Sequence, residues 1–407
     1  MAKARACQRA FVYRGQTSDM QGSMQYLRSR ISRGDWRILT LHRNPFRSIF
    51  WCGIILASTL STNNIYTTHF HSSSRTIMAA NNTMKAVVIH TKGGPEVLKV
   101  EQRPIPTAKP GQVLIRVKAF GLNRSEMFTR QGHSPGVDFP RTLGIEATGI
   151  VEHAPGGEFE KGQIVMTAMG GMGRQFDGGY AQYTVVPTNQ VQAITVPTKL
   201  GWDVLGAMPE MLNTAYGAIT KSLNVKKGDR LLIRGGTTSV GLAALAIAKG
   251  LGAHVTSTSR RPERESMLRE YGADEFFVDD GAIAEQIKDE GQKFDKVLEL
   301  VGVVTLKDSL NATAKGGVVS LVGIVGNSWN IENFQPQEFI PKYRFLTTFG
   351  GWIEEFMDTP LNDIVQQVED GTFKIKVGKV FHIDQIAEAH QCMDDNAAEG
   401  KIVVLTG

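Results

Sequence analysis

From Met84 onward the chain is written in short apolar blocks. KAVVIH (85–90) and VLIRVKAFG (113–121) read as strands, the second alternating apolar and polar residues with period two. PIPTAKPG (104–111) between them is turn-rich. ATGIVE (147–152), QIVMTA (163–168) and YAQYTVV (180–186) continue the pattern, with glycine-rich connections such as MGGMGRQFDGG (169–179). Residues 84 to about 200 therefore predict a β-rich unit full of turns. The period then shifts. GWDVLGAMPEMLNTAYGAITKSL (201–223) carries apolar residues at helical spacing. A regular series follows: strand RLLIR (230–234), helix SVGLAALAIAKGLG (239–252), strand AHVTSTS (253–259), helix PERESMLREYG (262–272), strand EFFVD (275–279), helix IAEQIKDE (283–290), strand KVLEL (296–300), helix TLKDSLNAT (305–313) and strand GGVVSLVG (316–323). Such alternation predicts a parallel sheet with helices on both faces, joined by right-handed crossovers. Beyond about residue 340 it loosens into helices at 361–371 and 384–395 and a last strand, KIVVLTG (401–407).

Composition changes this picture only at one end. The 407 residues are 42% hydrophobic and 21% charged, ordinary for a globular protein, and the length fits two domains. The net charge of +5 is unevenly placed. Residues 1–83 hold eleven Lys/Arg against two Asp/Glu, whereas the remainder holds 34 against 38. The folded part is mildly acidic, so no nucleic-acid partner is expected. Cys7, Cys52 and Cys392 lie far apart, which predicts neither a Cys-x-x-Cys zinc site nor a disulfide framework and fits a reducing compartment. Residues 1–83, rich in Arg and Ser, read as an organellar transit peptide, as a disordered or non-native extension with the protein starting at Met78 or Met84, or as an anchor. The apolar run Ile49–Ala57 is far short of the roughly 20 residues a bilayer needs, so no stable membrane insertion is expected. The expected location is cytoplasmic, or mitochondrial if the extension is a transit peptide.

RLLIRGGTTSVGLAALAIAKGLGA (230–253) is the strongest local signal. A buried strand enters a tight turn at Gly235–Gly236 and leaves through Val240 and Gly241 into an apolar helix. The helix N-terminus offers unpaired N–H groups and a positive dipole end, which favour a pyrophosphate. Thr237, Thr238 and Ser239 are candidate hydroxyl donors. A threonine or serine stands where G-x-G-x-x-G has its middle glycine, so the turn alone is weak and the surrounding series carries the assignment. In this doubly wound fold an acid roughly 20 residues beyond the glycines binds the ribose 2′-hydroxyl of NAD. Here Ser259 ends the second strand 18 residues after Gly241, and Arg260 and Arg261 follow. Arginines clamp a 2′-phosphate that an acid would repel, so NADPH is the expected cofactor. The alternative is that both arginines merely pair with Glu263 and Glu265.

MKAVVIHTKGGPEVLKV (84–100), VKAFGLNRSE (117–126), TLGIEATGIVE (142–152), GGYAQYTVVP (178–187), the nucleotide turn and EGKIVVLTG (399–407), in this order and spacing, resemble the medium-chain dehydrogenase/reductase superfamily. The resemblance covers residues 84–407. It implies an α/β protein with a GroES-like β-rich catalytic domain (84–205), a Rossmann doubly wound parallel-sheet NADPH-binding domain (206–340) and a C-terminal return to the catalytic domain (341–407). Zinc-dependent members hold their metal with cysteine, histidine and a further cysteine or glutamate. Those positions are Asn123, Ile145 and, by rough alignment, Glu210 here, a set that cannot build a tetrahedral zinc site. The chain thus resembles the zinc-independent quinone oxidoreductase branch, and no metal is expected.

Without a Lewis acid the acceptor must spread the developing charge itself, as a quinone or a conjugated enone does. The expectation is an NADPH-dependent reductase of quinones or α,β-unsaturated carbonyls acting on a small electrophile. An enoyl-thioester reductase and a non-catalytic NADPH-binding protein are the alternatives. Asn123 is the candidate to orient the substrate carbonyl or the nicotinamide ribose, or else a turn cap; Tyr216 and the loop residue His133 are further catalytic candidates. Thr214, Val322, Gly323, Ile324, Phe349 and Gly350 are placed along the cofactor cleft. Glu126 and Glu146 read as interface residues and His390 as structural. Ser134 stands about where related enoyl reductases carry a tyrosine donor. A homodimer is compatible with the resemblance, which leaves the oligomeric state open.

Overall fold

The computed structural model describes residues 82–407. The basic N-terminal extension, with its transit-peptide, non-native and anchor readings, lies almost wholly outside the described residues.

Strands β1 (Thr83–Ile89), β2 (Lys99–Pro104) and β4 (Arg141–Thr142) form a small antiparallel sheet in the order β2-β1-β4. The larger sheet of the β-rich part has at its centre the ten-residue β3 (Gln112–Gly121), flanked by β5 (Glu146–His153), β6 (Ile164–Ala168), β7 (Tyr183–Pro187) and β8 (Val191–Ala193). β3 pairs antiparallel with both β5 and β7. Two strands from the far end of the chain complete this sheet: β15 (Val377–His382) and β16 (Lys401–Leu405), the latter antiparallel to β3 with Val404 opposite Phe120. The buried Val113, Ile115 and Val117 of β3 share one face, the period-two pattern of a sheet with its other side more open.

The second sheet is parallel. Its strands are β9 (Arg230–Arg234), β10 (His254–Ser259), β11 (Glu275–Val278), β12 (Phe294–Glu299), β13 (Thr313–Leu321) and β14 (Phe345–Thr348), in the spatial order β11-β10-β9-β12-β13-β14. This is the doubly wound 3-2-1-4-5-6 order, with the reversal between β9 and β12. Leu231, Leu232 and Ile233 of β9 are all fully buried because helices cover both faces.

Several elements differ from the sequence reading. The long helix expected over 201–223 is three pieces: Trp202–Gly206, Pro209–Gly217 and a wider π turn at Ala218–Ser222. Pro209 explains the break, since it lacks the N–H needed inside a helix and fits only its first turn. The helix expected at 283–290 is only Ile283–Gln286. The first turn of 262–272 is 3₁₀, with Pro262 at its start. β14 and β15 were not expected. Both are short and half exposed, so neither carries a continuous apolar run.

One buried residue ties the parallel sheet together at its C-terminal edge. Arg234, the last residue of β9, is fully buried. Its Nε and Nη2 donate to the two oxygens of Asp279 at 2.8 and 2.7 Å, and its Nη1 donates to Asp308 Oδ2 at 2.6 Å and Ser309 Oγ at 3.1 Å. Asp279 follows β11, and Asp308 lies on the helix Val303–Ala312, so one guanidinium pins three elements. Removing it strands two carboxylates. Arg234→Met is therefore expected to cost about 3–5 kcal/mol, read by chemical denaturation. Arg234→Lys should recover only part of that, because an ammonium cannot fork onto Asp279.

Candidate active site

The nucleotide turn leaves β9 at Gly235, whose φ of +81° suits glycine. At Gly241 a Cβ would lie 2.8 Å from the carbonyl oxygens of both Gly235 and Gly236, so no side chain fits as the helix packs onto its strand. Thr238 caps the helix Ser239–Gly250. Its hydroxyl accepts from Gly241 N–H and donates to Gly235 O, both at 3.0 Å. The Thr238 hydroxyl, a candidate donor from the sequence, is engaged in this cap. Thr237 and Ser239 keep theirs, and the N–H groups of Ser239 and Val240 find no backbone acceptor among the described residues. A dipole end with open N–H groups and no side chain in the way fits a pyrophosphate.

Ser259 closes β10 and accepts from Arg261 N–H at 3.1 Å. Arg260 and Arg261 are exposed, and among the described residues neither guanidinium pairs with a carboxylate. Glu265 bonds Arg269 instead, so the pairing with Glu263 and Glu265 considered from the sequence is not formed. Two free cations thus stand at the corner where the adenosine ribose of a dinucleotide would lie, and the residues there fit a 2′-phosphate.

Two of the three positions at which zinc-dependent relatives carry ligands, Asn123 and Glu210, face an ammonium. Lys401 Nζ, only 2% exposed, donates to Asn123 Oδ1 at 2.6 Å and lies 2.9 Å from Glu146 Oε1 and 3.6 Å from Glu210 Oε2. Asn123 Nδ2 donates to Glu146 Oε1 at 2.9 Å. Glu126 accepts from the N–H groups of Asn123 and Ile145, tying the start of the helix Arg124–Gln131 to the residue before β5. Glu146 also accepts from Glu210 N–H, and Thr214 donates to Glu210. Asn123 is therefore the cap residue of its helix, with its amide committed to Glu146 and Lys401. This is the turn-cap alternative considered from the sequence, with the amide engaged inside the protein. Thr214 likewise spends its hydroxyl on Glu210. Ile145 offers no donor atom, and Asn123 and Glu210 already face the lysine, so this set does not fit a zinc ion.

Three carboxylates around one ammonium make these protonation states interdependent. Burial pushes the Glu126 carboxyl up to about 7, helped by Glu146 and opposed by the Ile145 N–H and Lys401. Burial also raises Glu210, against the pull of Lys401. The Lys401 ammonium is drawn down by burial, but Glu146, Glu210 and Glu126 outweigh this and hold it above its ordinary value. Sequence reading missed Lys401. A lysine opening a strand after Gly400 looks like a solvated strand end, and only the pairing of β16 with β3 takes it inside.

Beside this cluster, Val303, Leu321, Val322, Gly323, Ile324, Ser328, Trp329 and Thr348 line a hollow of about 230 Å³ at the end of β13. A Cβ on Gly323 would sit 2.0 Å from Leu300 O, so the chain there must stay bare. Trp329 meets Phe128 edge to face, with ring centroids 4.6 Å apart, and the exposed His133 lies 6.2 Å from Trp329. Phe349 does not line this hollow. It packs on the helix Pro209–Gly217, where a Cβ on Gly217 would meet its ring at 2.2 Å, and Gly350 beside it touches nothing within 4 Å of its Cβ position. Tyr216 is half buried, and its hydroxyl has no hydrogen-bond partner among the described residues. His390 is buried against the Tyr180 hydroxyl at 3.2 Å, and burial together with Arg130 holds it down to about 3. It is neutral and belongs to the core.

A phosphate turn at the head of a 3-2-1-4-5-6 sheet, opening beside a β-rich unit, defines a two-part dinucleotide-binding oxidoreductase fold. Residues 109–198 match the alcohol dehydrogenase GroES-like domain family, and residues 239–358 match the zinc-binding dehydrogenase family. The quinone oxidoreductase of Pongo abelii is 32% identical over 333 residues, 79% of this chain and 98% of that protein. A solved NAD-dependent alcohol dehydrogenase is 28% identical with a TM-score of 0.71, covering 80% of this chain and 100% of its own. A mycobacterial protein solved in complex with NADPH shares the fold, at 24% identity and a TM-score of 0.69 over 79% of this chain and 100% of its own. The chain belongs to the medium-chain dehydrogenase/reductase superfamily. It is a quinone oxidoreductase-like oxidoreductase of that superfamily.

The raised Glu126 carboxyl has a measurable sign. In the unfolded chain it ionises near 4.5, but in the folded protein near 7, so the native state holds the extra proton between these values. The stability this site contributes is full below about pH 4.5 and falls as pH rises to about 7. The stability difference between wild type and Glu126→Gln is expected to shift against the wild type by about 1–3 kcal/mol from pH 5 to pH 7, read by denaturation at the two pH values. A difference that does not change with pH would mean that Glu126 is ionised throughout.

Proposed function

We propose that this protein is an NADPH-dependent reductase of quinones or α,β-unsaturated carbonyl compounds that works without a catalytic metal. The observation that carries the reading is Lys401. Its ammonium is the cation toward which Asn123 and Glu210 face, while Ile145 takes the remaining ligand position. This cation is buried and fully engaged, so it cannot polarise a substrate oxygen as an open metal position would. The acceptor must then carry its own means of spreading negative charge, which a quinone or enone has and a simple ketone lacks.

When bound, NADPH supplies the hydride from its nicotinamide C4. The chain supplies grip and orientation. The N–H groups of Ser239 and Val240 and the hydroxyls of Thr237 and Ser239 hold the pyrophosphate. Ser259, Arg260 and Arg261 hold the ribose 2′-phosphate, in contrast to the NAD-selecting acid of the general fold. Val322, Gly323 and Ile324 form the bare floor on which the nicotinamide end rests. Trp329 and Phe128 give an apolar, aromatic wall suited to a flat conjugated acceptor. His133 and Tyr216, each with an uncommitted polar group, are the proposed proton sources beside water.

NADPH consumption with 9,10-phenanthrenequinone and a simple enone tests the reading. Turnover of a crotonyl thioester instead would make the protein an enoyl-thioester reductase, and tight NADPH binding with no consumption would make it a binding protein. Replacing Ser259 by Asp and both Arg260 and Arg261 by Ser is expected to lower kcat/KM for NADPH about 100-fold and to move preference toward NADH. Unchanged preference would refute the role of these arginines. Exhaustive chelation is expected to leave both activity and Tm unaltered, and elemental analysis to find far less than one zinc per chain.

A further inference from the structure

One cation bonded to the helix that carries Phe128 has no role in the proposed reduction. Arg174 sits in the connection between β6 and β7, and its base is fixed. Met172 beside it is buried, and Gly173 packs so closely on Gly144 that a Cβ would lie 2.8 Å from the Gly144 carbonyl oxygen. Gly144 precedes Ile145, so the backbone next to Arg174 is held one residue before the vacated histidine position. Its side chain reaches the other wall. Nη2 donates to Ser125 Oγ at 2.8 Å and approaches Ser134 Oγ at 3.4 Å, and Ser134 in turn bonds Thr129 at 2.8 Å. Ser125 lies two residues beyond Asn123 and one helical turn before Phe128, which meets Trp329 of the hollow. The arginine is exposed, and among the described residues no carboxylate lies within ion-pair distance of it.

A surface arginine usually waves in water or meets an acid. This one is oriented by two neutral hydroxyls, which fixes its fork without neutralising it. A guanidinium with Nε and Nη1 uncommitted and hydroxyls beside it is a receptor for an oxyanion. We propose that Arg174, with Ser125 and Ser134, selects acceptors that carry a carboxylate in addition to the reducible conjugated group. This rests on the reading of the cleft as the site of a conjugated carbonyl acceptor and narrows its substrate class to acidic ones.

The test compares a matched pair of acceptors, (E)-4-oxopent-2-enoate and its methyl ester, with wild type, Arg174→Gln and Arg174→Lys. The acid-to-ester ratio of kcat/KM is expected to fall roughly 10- to 100-fold in Arg174→Gln, mainly through KM, with Arg174→Lys in between. A ratio unchanged in Arg174→Gln overturns the proposal while leaving the reductase reading intact. If the wild type oxidises NADPH with neither compound, the reductase reading fails for this class, and binding decides the proposal. Saturated 4-oxopentanoate, titrated calorimetrically into the NADPH-loaded protein, should then bind wild type at least tenfold more tightly than Arg174→Gln. Equal affinity, or none in either protein, overturns it.

Discussion

A charge taken out of water must be matched, and the Lys401 ammonium is where this chain meets that demand. It lies among Asn123, Glu146 and Glu210, with Glu126 closing the far side. Leaving one such cation unpaired would cost several kcal/mol, so the groups around it hold one another in place. Glu146 begins β5, Glu126 and Asn123 begin a helix, Glu210 begins another helix, and Lys401 begins β16. Four element starts are thus fixed to one point. The family resemblance puts metal ligands at two of these positions, Asn123 and Glu210, and the ammonium serves the same architectural end with no open coordination site.

The parallel sheet has its own version of the same rule. Arg234 is buried at the edge where β9 turns into Gly235 and Gly236, and its fork is satisfied by Asp279, Asp308 and Ser309. The turn therefore starts from a strand end that cannot drift. Glu299, one strand over, accepts from the N–H groups of Val301 and Gly302 and from Ser309, so the two strands at the topological reversal share one polar lattice. Pre-organised groups of this kind hold a cofactor site in shape before anything is bound.

Much of this was legible in the chain. The strand-helix alternation after residue 230 announced the parallel sheet, because parallel strands buried on both faces read as unbroken apolar runs. Ser259 could be placed at the end of β10 by counting from the glycines, because a single helix and a single strand separate them. What the sequence does not show is of one kind. Asn123 and Thr238 are candidates for ligand contacts, and their side chains also bond within the protein. Polar residue type shows what a group can bond, while its partner depends on segments far away in sequence. Lys401 was missed for the same reason, its partners lying 191 to 278 residues before it. Arg174, inside a glycine-rich loop, gave no periodic signal at all.

The order in which β3 acquires its neighbours has a bearing on how the protein is made. β5 and β7 emerge soon after β3, but β16, which carries the buried lysine, is synthesised only after the whole parallel-sheet unit. That unit is continuous in sequence and can collapse as it leaves the ribosome. The β-rich unit cannot. Until β16 arrives, the Ala119–Gly121 end of one β3 edge is unpaired and the Glu126, Glu146 and Glu210 carboxyls lack their lysine. The nascent protein is thus expected to hold a finished cofactor sheet beside an unfinished partner, a stage at which chaperones that shield bare strand edges would find their target.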